Sequence, residues 1–136
     1  MSTIKHMISI IRRTTLALLL LPCLALGQSN SIDTLQVGQH DGQTVVKIGL
    51  SQALTAPPSS FSVAEPARIV FDFPQASNGL GRNVQQVDQG DLRSVNIVQA
   101  GDRTRMVLNL KKMTSFETKL EGGFLLVTLQ PSGAPP

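Results

Sequence analysis

The residue types that usually carry catalysis are scarce in this sequence. Beyond the first 27 residues, His40 is the only histidine and no cysteine remains, so a zinc site lacks its usual ligands. No nucleophile-elbow sequence accompanies His40, which falls in a predicted exposed turn, so a Ser-His-Asp arrangement is not indicated. These features predict that the chain is not an enzyme and uses no metal or other cofactor.

Two further patterns could do chemistry in principle. Asp88 lies near Asp91 in the sequence, and Asp41 could meet Glu65, as the carboxylate pair of a glycosidase would require. Acidic residues beside turn glycines are, however, usually solvated turn formers. The segment Gly79–Arg82 is too short for a phosphate-binding loop and opens no predicted helix. Trp and Tyr, common in carbohydrate and single-stranded nucleic-acid sites, are absent.

The remaining candidates for a binding function are arginines on predicted strands and turns, namely Arg68, Arg93, Arg103 and Arg105. The planar donor fork of arginine suits carboxylates and the oxygens of sugars or peptides. Arg68 shares the outward face of one predicted strand with Asp72, and Arg105 has a comparable position on another. The alternation of a half-exposed sheet also places such residues outward, so a merely solvated surface remains the alternative.

The elements that must position these arginines are predicted to be β-strands throughout, because apolar residues alternate between turns rich in Gly, Pro, Asn and Asp. The predicted strands are Ile32–Val37, Thr44–Leu50, a short strand containing Phe61 and Val63, Arg68–Phe73, Val84–Val87, Leu92–Gln99, Thr104–Leu110, Phe116–Leu120 and Phe124–Leu129. The segment Ser77–Asn83 is predicted to be a loop. No stretch has helical periodicity beyond two turns.

The two halves of the chain resemble each other. The matched segments are Ser31–Gly38 with Ser94–Gly101, Thr44–Leu50 with Thr104–Leu110, and the strand pairs that begin at Phe61 and Phe116. Any two β-hairpins share some features, but matched Gln, Gly and Thr positions within matched apolar strings favour an internal duplication. Two sheets that each have one apolar face bury those faces against each other. We therefore predict an all-β sandwich of two similar antiparallel sheets.

The first 27 residues have the order of a cleaved secretory signal peptide. A basic start precedes the apolar run Leu16–Leu26, and Ala25 and Gly27 supply the small residues of a cleavage site. The apolar run is shorter than the roughly 20 residues that cross a bilayer. Lipidation of Cys23 would need a small residue before it, and Pro22 stands there instead.

Removal of this segment changes the charge balance. The whole chain has 12 Lys and Arg and 9 Asp and Glu, and three of the basic residues, Lys5, Arg12 and Arg13, lie in the predicted signal. The mature chain is therefore formally neutral and lacks the basic footprint that nucleic-acid binding requires. The predicted organisation is a signal peptide at 1–27, one β-sandwich domain at 28–130, and a Pro/Gly-rich linker or tail at 131–136.

Two segments resemble a known family. The run Glu65–Pro74 (EPARIVFDFP) is similar to the signature strand of the AMIN domain. The run Gly90–Arg105 (GDLRSVNIVQAGDRTR) is similar to the second half of the AMIN domain in type IV pilus secretins. The resemblance covers roughly Ser31 to Leu129. It implies a β-sandwich, a periplasmic location and non-catalytic binding to peptidoglycan; the same domain also directs N-acetylmuramoyl-alanine amidases to the cell wall.

The resemblance also implies a set of contact residues, because motifs on the outer sheet faces of the family are thought to meet the wall. Here they correspond to Arg68, Asp72, Arg93, Arg103 and Arg105. A pilus secretin continues into a pore-forming region, so the chain is either a fragment of an outer-membrane secretin or a stand-alone domain. The alternative function is a protein–protein adaptor that pairs with pilus or secretin subunits by strand addition at an exposed sheet edge.

Overall fold

The structure is a computed structural model, and it describes residues 29–130. The predicted signal peptide and the predicted tail lie outside the described residues. The strands are β1 (Asn30–His40), β2 (Gln43–Leu50), β3 (Ser59–Val63), β4 (Arg68–Phe73), β5 (Ala76–Asn78), β6 (Val84–Gln89), β7 (Leu92–Ala100), β8 (Arg103–Leu110), β9 (Ser115–Glu121) and β10 (Phe124–Gln130). Within residues 29–130 there is no helix, and hence none able to cross a membrane.

The ten strands form two sheets of five. Sheet A has the order β5-β1-β2-β10-β9, and sheet B has the order β3-β4-β8-β7-β6. All neighbouring strands are antiparallel except β5, which runs parallel to β1. The two sheets pack face to face around one apolar core, so the predicted all-β sandwich is confirmed.

Each half of the chain contributes strands to both sheets. In sheet A the β1–β2 hairpin of the first half lies beside the β9–β10 hairpin of the second half. In sheet B the β7–β8 hairpin of the second half lies beside the β3–β4 hairpin of the first half. The halves are thus related by an approximate two-fold symmetry, as the internal duplication predicts, and each half completes the sheet that the other begins.

The pairing register corrects one predicted match between the halves. Leu35 lies opposite Ile48 in the first hairpin, and Val95 lies opposite Leu108 in the second. Leu35 therefore corresponds to Val95, whereas the sequence match aligned it with Val98. The cause is that hairpin register is fixed by the turn, and the two turns are of equal length, so positions correspond when they are counted from the turn.

The strand pairs that begin near Phe61 and Phe116 occupy equivalent places in the two sheets, but the two phenylalanines do not correspond. Phe61 lies on the outer side of sheet B at its edge and is 47% exposed. Phe116 turns inward, where its ring meets that of Phe71 edge-on at a centroid distance of 5.6 Å. Apolar letters at similar places in two strands do not show which side of the sheet each side chain occupies.

The core consists of the inward residues of both sheets, and alternation along each strand selects them. The largest fully buried side chains are Phe71, Phe73, Ile32, Ile48, Ile69, Leu92, Ile97, Met106, Leu108, Leu125, Leu129 and Val46. The short strand β5 closes one end of this core, with Ala76 buried and its carbonyl accepting a hydrogen bond from Thr104 Oγ1 at 2.8 Å. This strand includes Ser77 and Asn78, which the sequence predicted to be loop.

Candidate functional site

Three rows of side chains run across β4 and β8 on the outer face of sheet B. Strand register places Asp72 opposite Arg105, Val70 opposite Val107, and Arg68 opposite Asn109. Because alternate residues of a strand share a face, these rows follow one another at about 7 Å along the strands. Along the strands, the charged pair of Asp72 and Arg105 comes first, the apolar row of Val70 and Val107 lies in the middle, and the row with Arg68 comes last.

The charged pair of Asp72 and Arg105 is a two-point hydrogen-bonded contact. Arg105 donates from Nε to Asp72 Oδ1 at 2.8 Å and from Nη2 to Asp72 Oδ2 at 3.0 Å. The Arg105 side chain is 51% exposed and that of Asp72 24% exposed. Both carboxylate oxygens are thus engaged by one planar guanidinium, which fixes the orientation of the arginine rather than leaving it free in solvent.

The electrostatics of the pair keep both groups ionised. The hydrogen bond from Arg105 lowers the pKa of the Asp72 carboxyl below its usual value and outweighs the opposing effect of partial burial. The positive charges of Arg105 and Arg103 lower this pKa further. The same hydrogen bond raises the pKa of Arg105. At neutral pH the face therefore presents a fixed ion pair.

Arg105 also lies against an aromatic ring. Its guanidinium carbon is 5.6 Å from the centroid of the Phe61 ring, within the range of a cation–π contact. A guanidinium has five N–H donors, and the pair with Asp72 uses two of them. The arginine is therefore held on two sides, by a carboxylate and by a ring, while most of its donors stay free for a ligand.

Arg103 and Arg68 flank this pair on the same face. Arg103 is exposed, lies two positions before Arg105 on β8, and stands opposite Ala100. Arg68 is half-buried on β4, four positions before Asp72. Its Nε atom is buried and has no hydrogen-bond partner among residues 29–130. The structure thus brings Arg68, Asp72, Arg103 and Arg105 together on one outer face.

Arg93 lies apart from the other candidates. It is exposed in β7, where the register against β8 shifts between Leu92 and Ser94. It lines a shallow depression with the turn at Glu65 and Pro66 and with Lys111. This depression is at the end of sheet B beyond Arg68, so the structure separates Arg93 from the Asp72–Arg105 pair by the length of the face.

The apolar strip between the arginines was missed by the sequence analysis. Phe61, Val70 and Val107 lie side by side across β3, β4 and β8, and Val70 is only 5% exposed although it faces outward. Val84 and Val98, on β6 and β7, add exposed apolar side chains to the same face. Outward valines at alternate positions of three strands were the available signal, but only the register shows that they form one strip.

The other groups that could do chemistry are not brought together into a site. His40 Nε2 is 3.4 Å from Asp41 Oδ2 in an exposed turn, and both side chains are largely in solvent. Asp91 lies near Thr114 Oγ1, with a long oxygen–oxygen distance of 3.5 Å. Within residues 29–130, no group of three or more His, Cys, Asp or Glu side chains is arranged to hold a metal ion.

Comparison with known families decides the relationship that the two motifs indicated. The AMIN domain family matches residues 34–129, nearly the whole described sandwich. The chain belongs to the AMIN domain family. The match includes both strands of the Asp72–Arg105 pair and the whole of the apolar strip.

Curated relatives of this AMIN domain are pilus proteins. The chain is 35% identical over 106 residues to the fimbrial assembly protein PilQ of Pseudomonas aeruginosa, a match that covers 76% of this chain and 15% of that protein. It is 28% identical over 90 residues to the type IV pilus biogenesis and competence proteins PilQ of Neisseria gonorrhoeae and Neisseria meningitidis, covering 66% of this chain and 12% of those proteins. The chain therefore spans about a seventh of the relatives' length. No solved structure matches it significantly.

Proposed function

We propose that this AMIN domain is a non-catalytic, periplasmic module at the N-terminal end of a type IV pilus secretin, and that it binds peptidoglycan through the outer face of sheet B. In this role it anchors pilus assembly or secretion machinery to the cell wall near the outer membrane. The PilQ relatives support the secretin context, and the family match supports the wall as the ligand. The candidate residues of this binding site are Arg68, Asp72, Arg93, Arg103 and Arg105.

The observation that carries this proposal is the way in which Arg105 is held. Asp72 and Phe61 fix its guanidinium, so little side-chain entropy is lost when the free donors meet a ligand oxygen. Asp72 is thus a positioning residue, whereas Arg105 makes the contact.

The alternating character of the face fits the chemistry of peptidoglycan. Its stem peptides carry carboxylates, which suit the arginine forks at the two ends of the face. Its sugar rings and acetyl and alanyl methyl groups present apolar surface, which suits the strip of Phe61, Val70 and Val107. Arg68 and Arg105 lie roughly 13 Å apart along the strands, so the face suits an extended ligand rather than a single small group.

Co-sedimentation with purified peptidoglycan sacculi tests the proposal. The chain, purified after export to the periplasm, should pellet with sacculi, and added salt should weaken this binding because exposed charge contacts are screened. Arg105→Ala should reduce the bound fraction several-fold. Asp72→Asn should have a smaller effect, since it loosens the arginine without removing it. Both variants should melt close to the parent chain.

Lys119→Ala is the matched control, because it removes one positive charge from the outer face of sheet A instead of sheet B. It should bind sacculi as the parent does. If Lys119→Ala and Arg105→Ala weaken binding equally, the interaction is general charge attraction. If the parent chain does not bind, the wall-binding function is wrong, and the adaptor that pairs with pilus subunits becomes the better account.

A further inference from the structure

The free edges of the two sheets are not equally protected against pairing with another strand. An edge strand presents unpaired N–H and C=O groups, and proteins block such edges with charges, bulges or short strands. Edge β9 carries Glu117, Lys119 and Glu121. Edge β6 is bent by a register shift between Gln86 and Gln89, and edge β5 has only three residues. Three of the four edges therefore have a protective device.

The fourth edge, β3, has no charge and no bulge, and at five residues it is longer than β5. Its sequence Ser59–Val63 (SSFSV) contains no charge and no proline, and its register with β4 is regular over all five residues. The first four of its residues are exposed, and β4 is its only hydrogen-bonded neighbour among the described strands. Alternate residues of an antiparallel edge point their N–H and C=O groups away from the sheet. This edge can therefore accept a further strand.

We infer that β3 pairs with β3 of a second copy of this chain, antiparallel, with Phe61 opposite Phe61 of the second copy. Side chains that lie opposite each other must share a face, so Phe61 can meet only Ser59, Phe61 or Val63 of the partner strand. Of these three registers, the one centred on Phe61 pairs all five residues. This register is symmetric about Phe61, as a two-fold interface requires.

The exposed ring of Phe61 argues for this occupant. Phe61 is 47% exposed at the edge of the apolar strip that continues through Val70 and Val107. In the centred register the two Phe61 rings are direct cross-strand neighbours, about 5 Å apart at Cβ, and each covers the other. The strip then runs unbroken from one copy into the next.

The pairing has a defined consequence for the arrangement of the two copies. A two-fold axis perpendicular to the joined sheet places the outer faces of both copies on the same side. Both sets of arginines then face one surface, so two weak contacts act together. The strand pairing itself does not depend on the proposed wall binding. Five residue pairs bury less than a stable interface does, so the dimer is weak and concentration-dependent.

Disulfide trapping tests this inference, with Cys23→Ser as the background so that each introduced cysteine is the only one. Directly opposed residues of an antiparallel pair have Cα atoms about 4.5–5.5 Å apart, within disulfide range. The Phe61→Cys variant should therefore form a linked dimer on mild oxidation of the purified chain. The Ser59→Cys variant should form at least tenfold less, because its two copies would lie roughly 13 Å apart.

Mixing two different cysteine variants tests the register of the two β3 strands. Ser59→Cys and Val63→Cys should link to each other when mixed, since Ser59 lies opposite Val63 of the second copy in the centred register. Ser60→Lys places a charge on the open edge and should abolish the concentration-dependent dimer seen for the parent by sedimentation, while Ser60→Thr should retain it. The inference fails if Phe61→Cys gives no more dimer than Ser59→Cys, or if Ser59→Cys and Val63→Cys do not link when they are mixed.

Discussion

The outer faces of sheets A and B occupy equivalent positions in the two halves of the fold, yet they carry different side chains. Where sheet B sets Asp72 against Arg105, sheet A sets Thr128 against Val45. The inner faces differ much less: Met106 and Leu108 of β8 correspond to Val46 and Ile48 of β2, and all four are fully buried.

This difference separates the requirements of folding from those of binding. Inner positions must fill a shared core, so both halves keep apolar residues there. Outer positions have no such constraint, and the sandwich forms in sheet A without a charged pair at the equivalent place. The Asp72–Arg105 pair is therefore not needed to build this type of sheet, and its presence in one half only is the internal support for a binding role.

The largest expected effect comes from the inner face. Phe71 is fully buried and contacts Phe116 edge-on, so Phe71→Ala should lower the free energy of unfolding by about 3–5 kcal/mol. The equivalent residue in sheet A is Val127, also fully buried, and Val127→Ala should cost about half as much because it removes fewer atoms. Urea melts measure both. If Phe71→Ala left the free energy of unfolding nearly unchanged, the conclusion that the inner faces provide most of the stability would be wrong.

An intermediate effect is expected from the apolar strip. Alternation along β4 places Val70 on the outer face, where Val70→Thr would cost little if the side chain were exposed, but Val70 is only 5% exposed. The added hydroxyl would be buried without an assured partner, so we expect a loss of about 1–2 kcal/mol. Val98→Thr on the same face is the control; Val98 is 52% exposed, and a change within about 0.5 kcal/mol is expected. Equal losses in thermal or urea melts would contradict the burial difference.

The smallest effect on stability is expected from the charged pair. Asp72 has a lowered pKa in the folded state, so its contribution is fully present above the pKa of the unfolded chain and is lost as pH falls through the folded value. Asp72→Asn should therefore cost up to about 1 kcal/mol at pH 7, and this cost should shrink as pH falls below the ordinary carboxyl pKa. The difference in urea stability between parent and variant, measured at several pH values, isolates this term. A cost that does not change as the pH is lowered would mean that packing, not charge, makes the contribution.

Local sequence patterns were sufficient to predict where most of the strands lie, but not which strands pair with each other. Alternation and turn residues located nine of the ten strands, because each has at least one apolar face and a recognisable turn. The missed strand, β5, is three residues long in a segment rich in Asn and Gly, and it exists only through parallel pairing with β1. Such a strand has no periodicity that a sequence could show.

The sequence was also insufficient to predict the contacts within the candidate site, because these contacts depend on strand pairing. The sequence placed Arg68, Asp72 and Arg105 on outward faces, but the contact between Asp72 and Arg105 depends on the register of β4 against β8. That register joins strands from different halves of the chain and is set by packing of the whole core. The position of Phe61 beneath Arg105 depends in turn on β3 joining the same sheet.

The exchange of hairpins between the halves also determines when the chain can fold. Strand β2 is near the start of the sandwich, and one of its two neighbours, β10, is the last strand. Sheet A therefore cannot close until the chain has been delivered to Gln130, and contacts this distant in sequence form slowly. A polypeptide emerging gradually from a ribosome or a membrane channel holds no finished half that could fold early. The topology thus favours a chain that acquires its structure in one late, cooperative step, once all ten strands are available.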